Sequence, residues 1–433
     1  MGTWAAVFRK LTSEQEEKIK SLLTSGCPSR YIRTFCYDEF KKNLTTYDVT
    51  NLRKKFNDGR NNPVYLETVI RQLASEGYVK RLLRDDNYLS ILAFCPDEQM
   101  TIFKRFPSFL GIDGTYNINN HQYSLYQLVA VDGCGQGIPV FFGLLQNEKR
   151  ETIQQFFRLF KEATNGDHQW IRAIMCDNST PIQQAIEAEI PGAKIMLCQW
   201  HILRNGYKRK PASGTRTAFQ TLVSTSNERR FAFALETIKT LDVSFYAYIE
   251  KELLPIVHRW SRLHQGALLC FGYHTNNFVE RCKRTIKMGA LRKDTVAKAA
   301  EKIAHGARYI LWNRQGQLSI QQSGDYSIPD HRELDPICDK LTFAAIQRIQ
   351  KNLKTTSTAI YRQESNEVIA EINPKQYRIT HVEGTCSCIF YQENRLPCRH
   401  IVGAANAGLL QLGKLHIKVN ILFKKMSSYT KGG

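Results

Sequence analysis

Two apolar runs in this chain stop in the same way. Phe109-Leu-Gly-Ile-Asp113-Gly-Thr-Tyr116 and Ile171-Arg-Ala-Ile-Met-Cys-Asp177-Asn-Ser-Thr-Pro181 each read as a short buried strand ended by a carboxylate. After Asp177 the Asn-Ser-Thr-Pro stretch begins a helix, so capping alone accounts for that aspartate. Asp113 has no helix behind it. A carboxylate at the end of an apolar strand is costly unless something pairs with it or ligates it. Two such ends in one region predict a shared site.

The surrounding pattern sets the fold class. Strands are expected at 109–115, 123–132 and 137–145, with Asp132-Gly133 and Gly135 turning the last two. Ile153, Phe156, Phe157 and Phe160 fall at helical spacing over 150–163. The strand ending at Asp177, a helix to about 190 and a strand at 194–198 follow. Three strands, helix, strand, helix, strand is an α/β order with a mixed sheet.

Eight segments are expected. Residues 1–62 form a helical, helix-turn-helix-like DNA-binding domain with helices at 12–23, 29–36 and 45–56. A connector of one helix and a hairpin around Arg84-Asp-Asp-Asn spans 63–104. The core occupies 105–205 and 273–312, separated by a basic helical insertion at 206–272. A polar linker at 313–339, a compact module at 340–415 and a basic tail at 416–433 complete the chain.

Lys and Arg outnumber Asp and Glu by 60 to 40, a formal charge of +20, so the summed field attracts a polyanion, nucleic acid first among them. Hydrophobic residues at 42% argue for a folded chain. No apolar run approaches a transmembrane span of roughly 18 residues, and no signal-peptide pattern opens the sequence, so no membrane partner and an intracellular location are expected. Most of the 12 cysteines stand singly among apolar residues, as reduced buried thiols do. The sequons at Asn43 and Asn178 then read as chance matches. In the third helix, Arg53, Lys54 and Lys55 suit a phosphate backbone, and equally the solvated basic end of a small helical bundle.

The last three cysteines do cluster. Cys386-Ser-Cys388, nine residues, then Cys398-Arg-His400 supply four zinc-type ligands, enough for one closed tetrahedral structural Zn²⁺ site. For the aspartates, a third carboxylate is needed if two metal ions about 4 Å apart are to be held for phosphodiester attack. Glu280, in Thr275-Asn-Asn-Phe-Val-Glu280, falls in the first turns of a helix with Lys283, Arg284 and Lys287 on the neighbouring face, candidate DNA contacts. A surface Glu280–Arg284 ion pair is the plainer alternative. Cys198-Gln-Trp-His201 is half a zinc site with no matching half. Trp200, Trp260 and Trp312 are open to base stacking or to core packing.

The ordered set Asp113-Gly-Thr-Tyr116, Asp177, Cys198-Gln-Trp-His201 and Asn276-Asn-Phe-Val-Glu280, followed by a zinc cluster in the SWIM form Pro-Cys-Arg-His, resembles the Mutator-like DNA transposases over about residues 105–405. The resemblance implies an RNase H-like core interrupted by an all-helical insertion. It implies that Asp113, Asp177 and Glu280 form a DDE triad holding two Mg²⁺ or Mn²⁺ ions, with Cys198 and His201 supporting the site. It further implies double-stranded DNA as substrate (element ends and target), a homodimer or higher oligomer on DNA, and a nuclear location. A domesticated descendant that binds DNA or regulates transcription without catalysis is the alternative.

Overall fold

The computed structural model describes residues 9–24, 27–57, 63–83, 88–265, 268–289, 292–322, 334–338, 341–354, 359–372, 375–381 and 384–412. The side chains of Arg53 and Lys54, residues 323–333 and 339 of the expected linker and the basic tail at 416–433 lie outside them.

Three helices, Ser13–Thr24, Ser29–Phe40 and Thr46–Asn57, match the expected spans, except that the second runs one turn beyond its expected end at 36. They close on their own small core of Leu11, Ile19, Leu23, Ile32, Cys36, Leu44 and Val49. The third begins with a reciprocal cap: the Thr45 backbone N–H donates to Asp48 Oδ2 at 2.7 Å, and the Asp48 N–H donates to Thr45 Oγ1 at 3.1 Å.

The body of the protein is a mixed seven-stranded sheet: β1 (Gly77–Leu83), β2 (Leu89–Pro96), β3 (Phe109–Thr115), β4 (Ser124–Val131), β5 (Gly137–Leu145), β6 (Ala173–Cys176) and β7 (Lys194–Leu197), in the order β1-β2-β5-β4-β3-β6-β7. β3–β6 and β6–β7 run parallel; the other pairs are antiparallel. The 63–104 segment is therefore no connector. Its hairpin adds two strands to the core sheet, because β2 is apolar on both faces and must be covered on both. Ile91, Ala93 and Cys95 enter one core, whereas Leu92 and Phe94 enter the core on the opposite face, beneath the Val296–Gln322 helix.

That helix corrects a second boundary. Expected to end near 312, it runs to Gln322, through a stretch polar enough to read as linker. Arg314, only 4% exposed, forms a buried ion pair with Asp132, whose other oxygen accepts the Cys134 and Gln136 backbone N–H groups at 2.9 and 2.8 Å. A polar side chain at 314 thus belongs to the core, with its charge met inside.

Between β7 and the last core helix lies the expected helical insertion, including Ser213–Ser224, Glu228–Leu241 and Val243–Tyr248. Trp260 is fully buried, its indole N–H donating to the Leu253 carbonyl at 2.8 Å, so it is a core residue. The C-terminal module has three antiparallel strands, β8 (Ile360–Glu364), β9 (Glu367–Ile372) and β10 (Lys375–Thr380), with helices Phe343–Leu353, Ile389–Asn394 and Arg399–Asn406. Its apolar residues, among them Ile346, Ile349, Ile401 and Val402, are continuous with the core of the large sheet.

The helix Asn277–Gly289 lies across β3, β4 and β5. Its approach to β3 depends on Gly111. A Cβ at that position would sit 2.3 Å from Val279 Cγ2 and 2.6 Å from Phe278 Cζ, far inside contact distance. Gly111→Ala is therefore expected to lift this helix off the sheet and to destabilise the protein by about 1–3 kcal/mol, the usual cost of overpacking. Denaturant titration of the variant beside the parent checks this; an unchanged midpoint would show that the helix position is not set by this contact.

Candidate active site and zinc centre

Two strand ends come together because β3 and β6 are parallel neighbours. Their register pairs Phe109 with Ala173, Leu110 with Ile174 and Gly111 with Met175. The same offset carried two residues further sets Asp113 beside Asp177, both at the C-terminal edge of the sheet. The helix starting at Asn277 brings Glu280 to the same edge, and all three carboxylates line one cleft of about 750 Å³.

The cleft is charged and tightly held. Asp113, 7% exposed, accepts a hydrogen bond at Oδ2 from Asn276 Nδ2 at 3.2 Å. The same oxygen meets Lys283 Nζ at 3.1 Å, and Lys283 reaches Glu280 Oε1 at 3.4 Å. Burial, and then the hydrogen bond it shares with Glu280, push the Asp113 carboxyl up to about 7. Burial acts on Glu280 in the same direction, but the hydrogen bond from Asp113 and the Lys283 charge outweigh it and hold Glu280 below its usual range. Burial also raises Asp177, against the opposing field of His201, and Asp177 Oδ1 is buried with no hydrogen-bond partner.

Lys283 lies beside the carboxylates, as its spacing from Glu280 implies, and is paired there rather than free for a DNA phosphate. Three residues after Glu280, it projects from the same face of the helix and is drawn into the carboxylates. Arg284 and Lys287 line the same cleft and remain exposed. Lys55 is exposed but pairs with Glu16. Cys198 is buried and acts as a clamp: its thiol donates to Asn276 Oδ1 at 3.2 Å and its sulfur accepts the Asn276 backbone N–H at 3.3 Å. Since Asn276 touches Asp113, Cys198 fixes the entry of the Glu280 helix. His201 lines the cleft, and burial lowers its pKa and favours the neutral ring. Trp200, 48% exposed, lines the cleft too, whereas Trp312 stands outside it beside Tyr309, with 71% of its surface open.

A fourth carboxylate is present that no strand-end pattern signalled. Glu148, in the turn between β5 and the Arg150–Thr164 helix, lines the cleft and accepts hydrogen bonds from Tyr116 Oη at 3.0 Å and Tyr126 Oη at 3.1 Å. Within Asn147-Glu-Lys-Arg150 it reads only as a helix start. Arg204 and Lys208, one and two turns beyond Trp200, also reach this cleft. Hard oxygen donors, an orphaned buried carboxylate oxygen and a lysine neutralising the group fit a site for a divalent cation such as Mg²⁺.

The zinc centre assembles as its spacing implied. The donor atoms of Cys386, Cys388, Cys398 and His400 are buried and lie within 4.8 Å of one another, with His400 Nδ1 at 3.6 and 3.7 Å from the sulfurs of Cys386 and Cys398. The Cys388 and Tyr391 backbone N–H groups donate to Cys386 Sγ and Cys388 Sγ, each at 3.4 Å. The Tyr377 ring stacks on His400 at 4.1 Å, which orients the imidazole. Hydrogen bonds among the thiols lower Cys388 and raise Cys386, and burial raises Cys398, so the three act as one electrostatically coupled cluster. Among the described residues this Cys₃His set fits structural Zn²⁺.

Three outcomes follow. Lys283→Met removes an ammonium that competes for the carboxylates, and should tighten Mn²⁺ binding by at least about tenfold in a calorimetric titration; weaker binding would mean that the lysine helps to hold the ion. The raised Asp113 pKa gives stability that is complete at low pH and lost as pH rises through about 7. Asp113→Asn, which cannot ionise, should melt above the parent in chelator at pH 8, by about 2 °C or more, and level with it near pH 4. Cys398→Ser should release the finger zinc and expose the module to protease.

Comparison with known proteins agrees with this architecture. The chain matches the family model for the RNaseH-like domain of zinc finger SWIM domain-containing protein 1/3 over residues 71–196, and the SWIM zinc finger over residues 380–409. The first match includes the β1–β2 hairpin with Asp113 and Asp177. The chain is thus similar to SWIM-type proteins in carrying an RNase H-like domain and a C-terminal SWIM finger.

Proposed function

We propose that this chain is a DDE transposase of the Mutator-like kind, which cleaves element ends and joins them to target DNA. The observation that carries the reading is the convergence of Asp113, Asp177 and Glu280 in one cleft whose rim is basic. Asp113, Asp177 and Glu280, with Glu148 beside them, would hold Mg²⁺ or Mn²⁺. Bound there, divalent ions supply Lewis-acid polarisation of the scissile phosphate and a lowered pKa for the attacking water or 3′-hydroxyl. The protein's own groups do the rest. Arg204, Lys208, Arg284 and Lys287 neutralise the phosphates on either side, Trp200 offers a face for an unstacked base, and His201 stands neutral within the cleft as a proton acceptor. The helical N-terminal domain and the +20 charge support binding to double-stranded DNA by counterion release. Such chemistry joins two ends and so calls for a homodimer or larger assembly, working in the nucleus.

One observation favours a second reading, a descendant that binds DNA without cutting it. Lys283 pairs with both Asp113 and Glu280 and so offsets part of the charge of the cluster from within the chain itself. Nicking of supercoiled plasmid in Mn²⁺ decides between the two. Asp113→Asn, Asp177→Asn and Glu280→Gln are each expected to abolish nicking while DNA affinity is kept, since groups acting as one unit fail together. Glu250→Gln and Glu252→Gln, exposed on the insertion, are expected to cut normally. A parent protein that binds DNA but never nicks it returns the binding-only function.

A further inference from the structure

A second cluster of metal-type donors lies apart from both the cleft and the finger, where the two domains meet. Cys270 and His274 come from the segment that leads into the Glu280 helix, and Glu393 comes from the helix that Cys388 caps. Cys270 is 1% exposed and Glu393 5%. The donor atoms of the three residues lie within 4.8 Å of one another, the same convergence shown by the SWIM ligands.

Three features of this cluster fit an ion better than a simple ion pair. His274 Nε2 stands 3.1 Å from Glu393 Oε1, while His274 Nδ1 is buried with no hydrogen-bond partner, a donor atom left over by the ion pair. Next, the backbone is bent to aim the donors. Phe271 and Gly272 take positive φ values of 53° and 69°, and the Tyr273 N–H closes the turn on the Cys270 carbonyl at 2.9 Å. A phenylalanine in this region of backbone space is rare and persists only where its surroundings impose it. Last, Arg262 donates to both Glu393 oxygens, Nε to Oε1 and Nη2 to Oε2, each at 2.9 Å, which fixes the orientation of the carboxylate beside His274.

We propose that Cys270, His274 and Glu393 bind a second zinc ion, distinct from the finger zinc. One thiolate, one imidazole and one carboxylate form a borderline donor set suited to Zn²⁺, with water as a fourth ligand. The ion would staple the finger to the catalytic domain. The Phe271 N–H donates to the Glu393 carbonyl at 2.8 Å, and the His274 carbonyl accepts the Gln199 N–H at 2.9 Å, so the staple ties the finger to the segment preceding Asn276. This inference does not depend on whether the carboxylate cleft cuts DNA.

Zinc content of the full-length protein, purified without added metal and dialysed against a weak chelator, tests it. The expected value is two ions per chain, falling to one in Cys270→Ser, to one in Cys398→Ser and to none in the double variant. One ion per chain in the parent, lost with Cys398→Ser, would overturn the proposal and leave a metal-free ion-pair junction. Should Cys270→Ser fail to fold, cobalt titration of the parent still decides. A second equivalent bringing the weaker thiolate-to-cobalt absorption of a one-sulfur site, after the intense three-sulfur band, is expected; saturation at one equivalent overturns the site.

Discussion

The parallel ladder between β3 and β6 is the constraint on which the cleft depends. Parallel neighbours end at the same edge, so carboxylates placed near the ends of two such strands meet in space although far apart in sequence. Had the pair been antiparallel, the ends would lie on opposite edges. β3 is also where the sheet changes from antiparallel pairing with β4 to parallel pairing with β6. The chain leaves the sheet in opposite directions on either side of such a point and opens a crevice beyond the strand ends. The third carboxylate arrives from a helix, whose position Gly111 permits and Asn276 fixes.

The cleft is held in an electrostatically expensive state. Carboxylates gathered in one cleft repel one another and lose hydration, and the cost is offset by one lysine and two tyrosine hydroxyls. A divalent cation bound there would replace this weaker compensation. The same cost explains why Lys283 sits inside rather than on the surface: an ammonium three residues from Glu280 is the nearest positive charge available.

The finger is not a tethered appendage. Its helix Phe343–Leu353 adds to the main core, Thr342 Oγ1 donates to the Gly133 carbonyl at 2.7 Å, and Arg348 reaches Asn394 at 2.9 Å. A module of this size has little core of its own, so metal ligation and a shared apolar interface both contribute to holding it. The buried Arg262–Glu393 pair lies in that interface, close to the segment that leads to Glu280.

Much of this was legible in the sequence by itself. The strand at 109–115 and the strand at 137–145 were determined to the residue by apolar runs with sharp turn signals, and the finger ligands by spacing alone. Asp113 and Asp177 stood out because a charge after an apolar strand is a local anomaly. Glu148 and Lys208 gave no such signal, since each sits in an ordinary polar context and gains its role only from what folds against it; for Lys283 the spacing showed the contact with Glu280 but not the one with Asp113. The hairpin at 77–96 was legible as a hairpin, but its place in the core sheet and the helix beyond 312 were not: whether β2 is covered on both faces, or Arg314 is buried, depends on partners far away in the chain or across the sheet. Local pattern determined which groups carry charge and which segments are strands or helices. Tertiary packing alone decided which charges lost their water, and burial is what turns a carboxylate into part of a site.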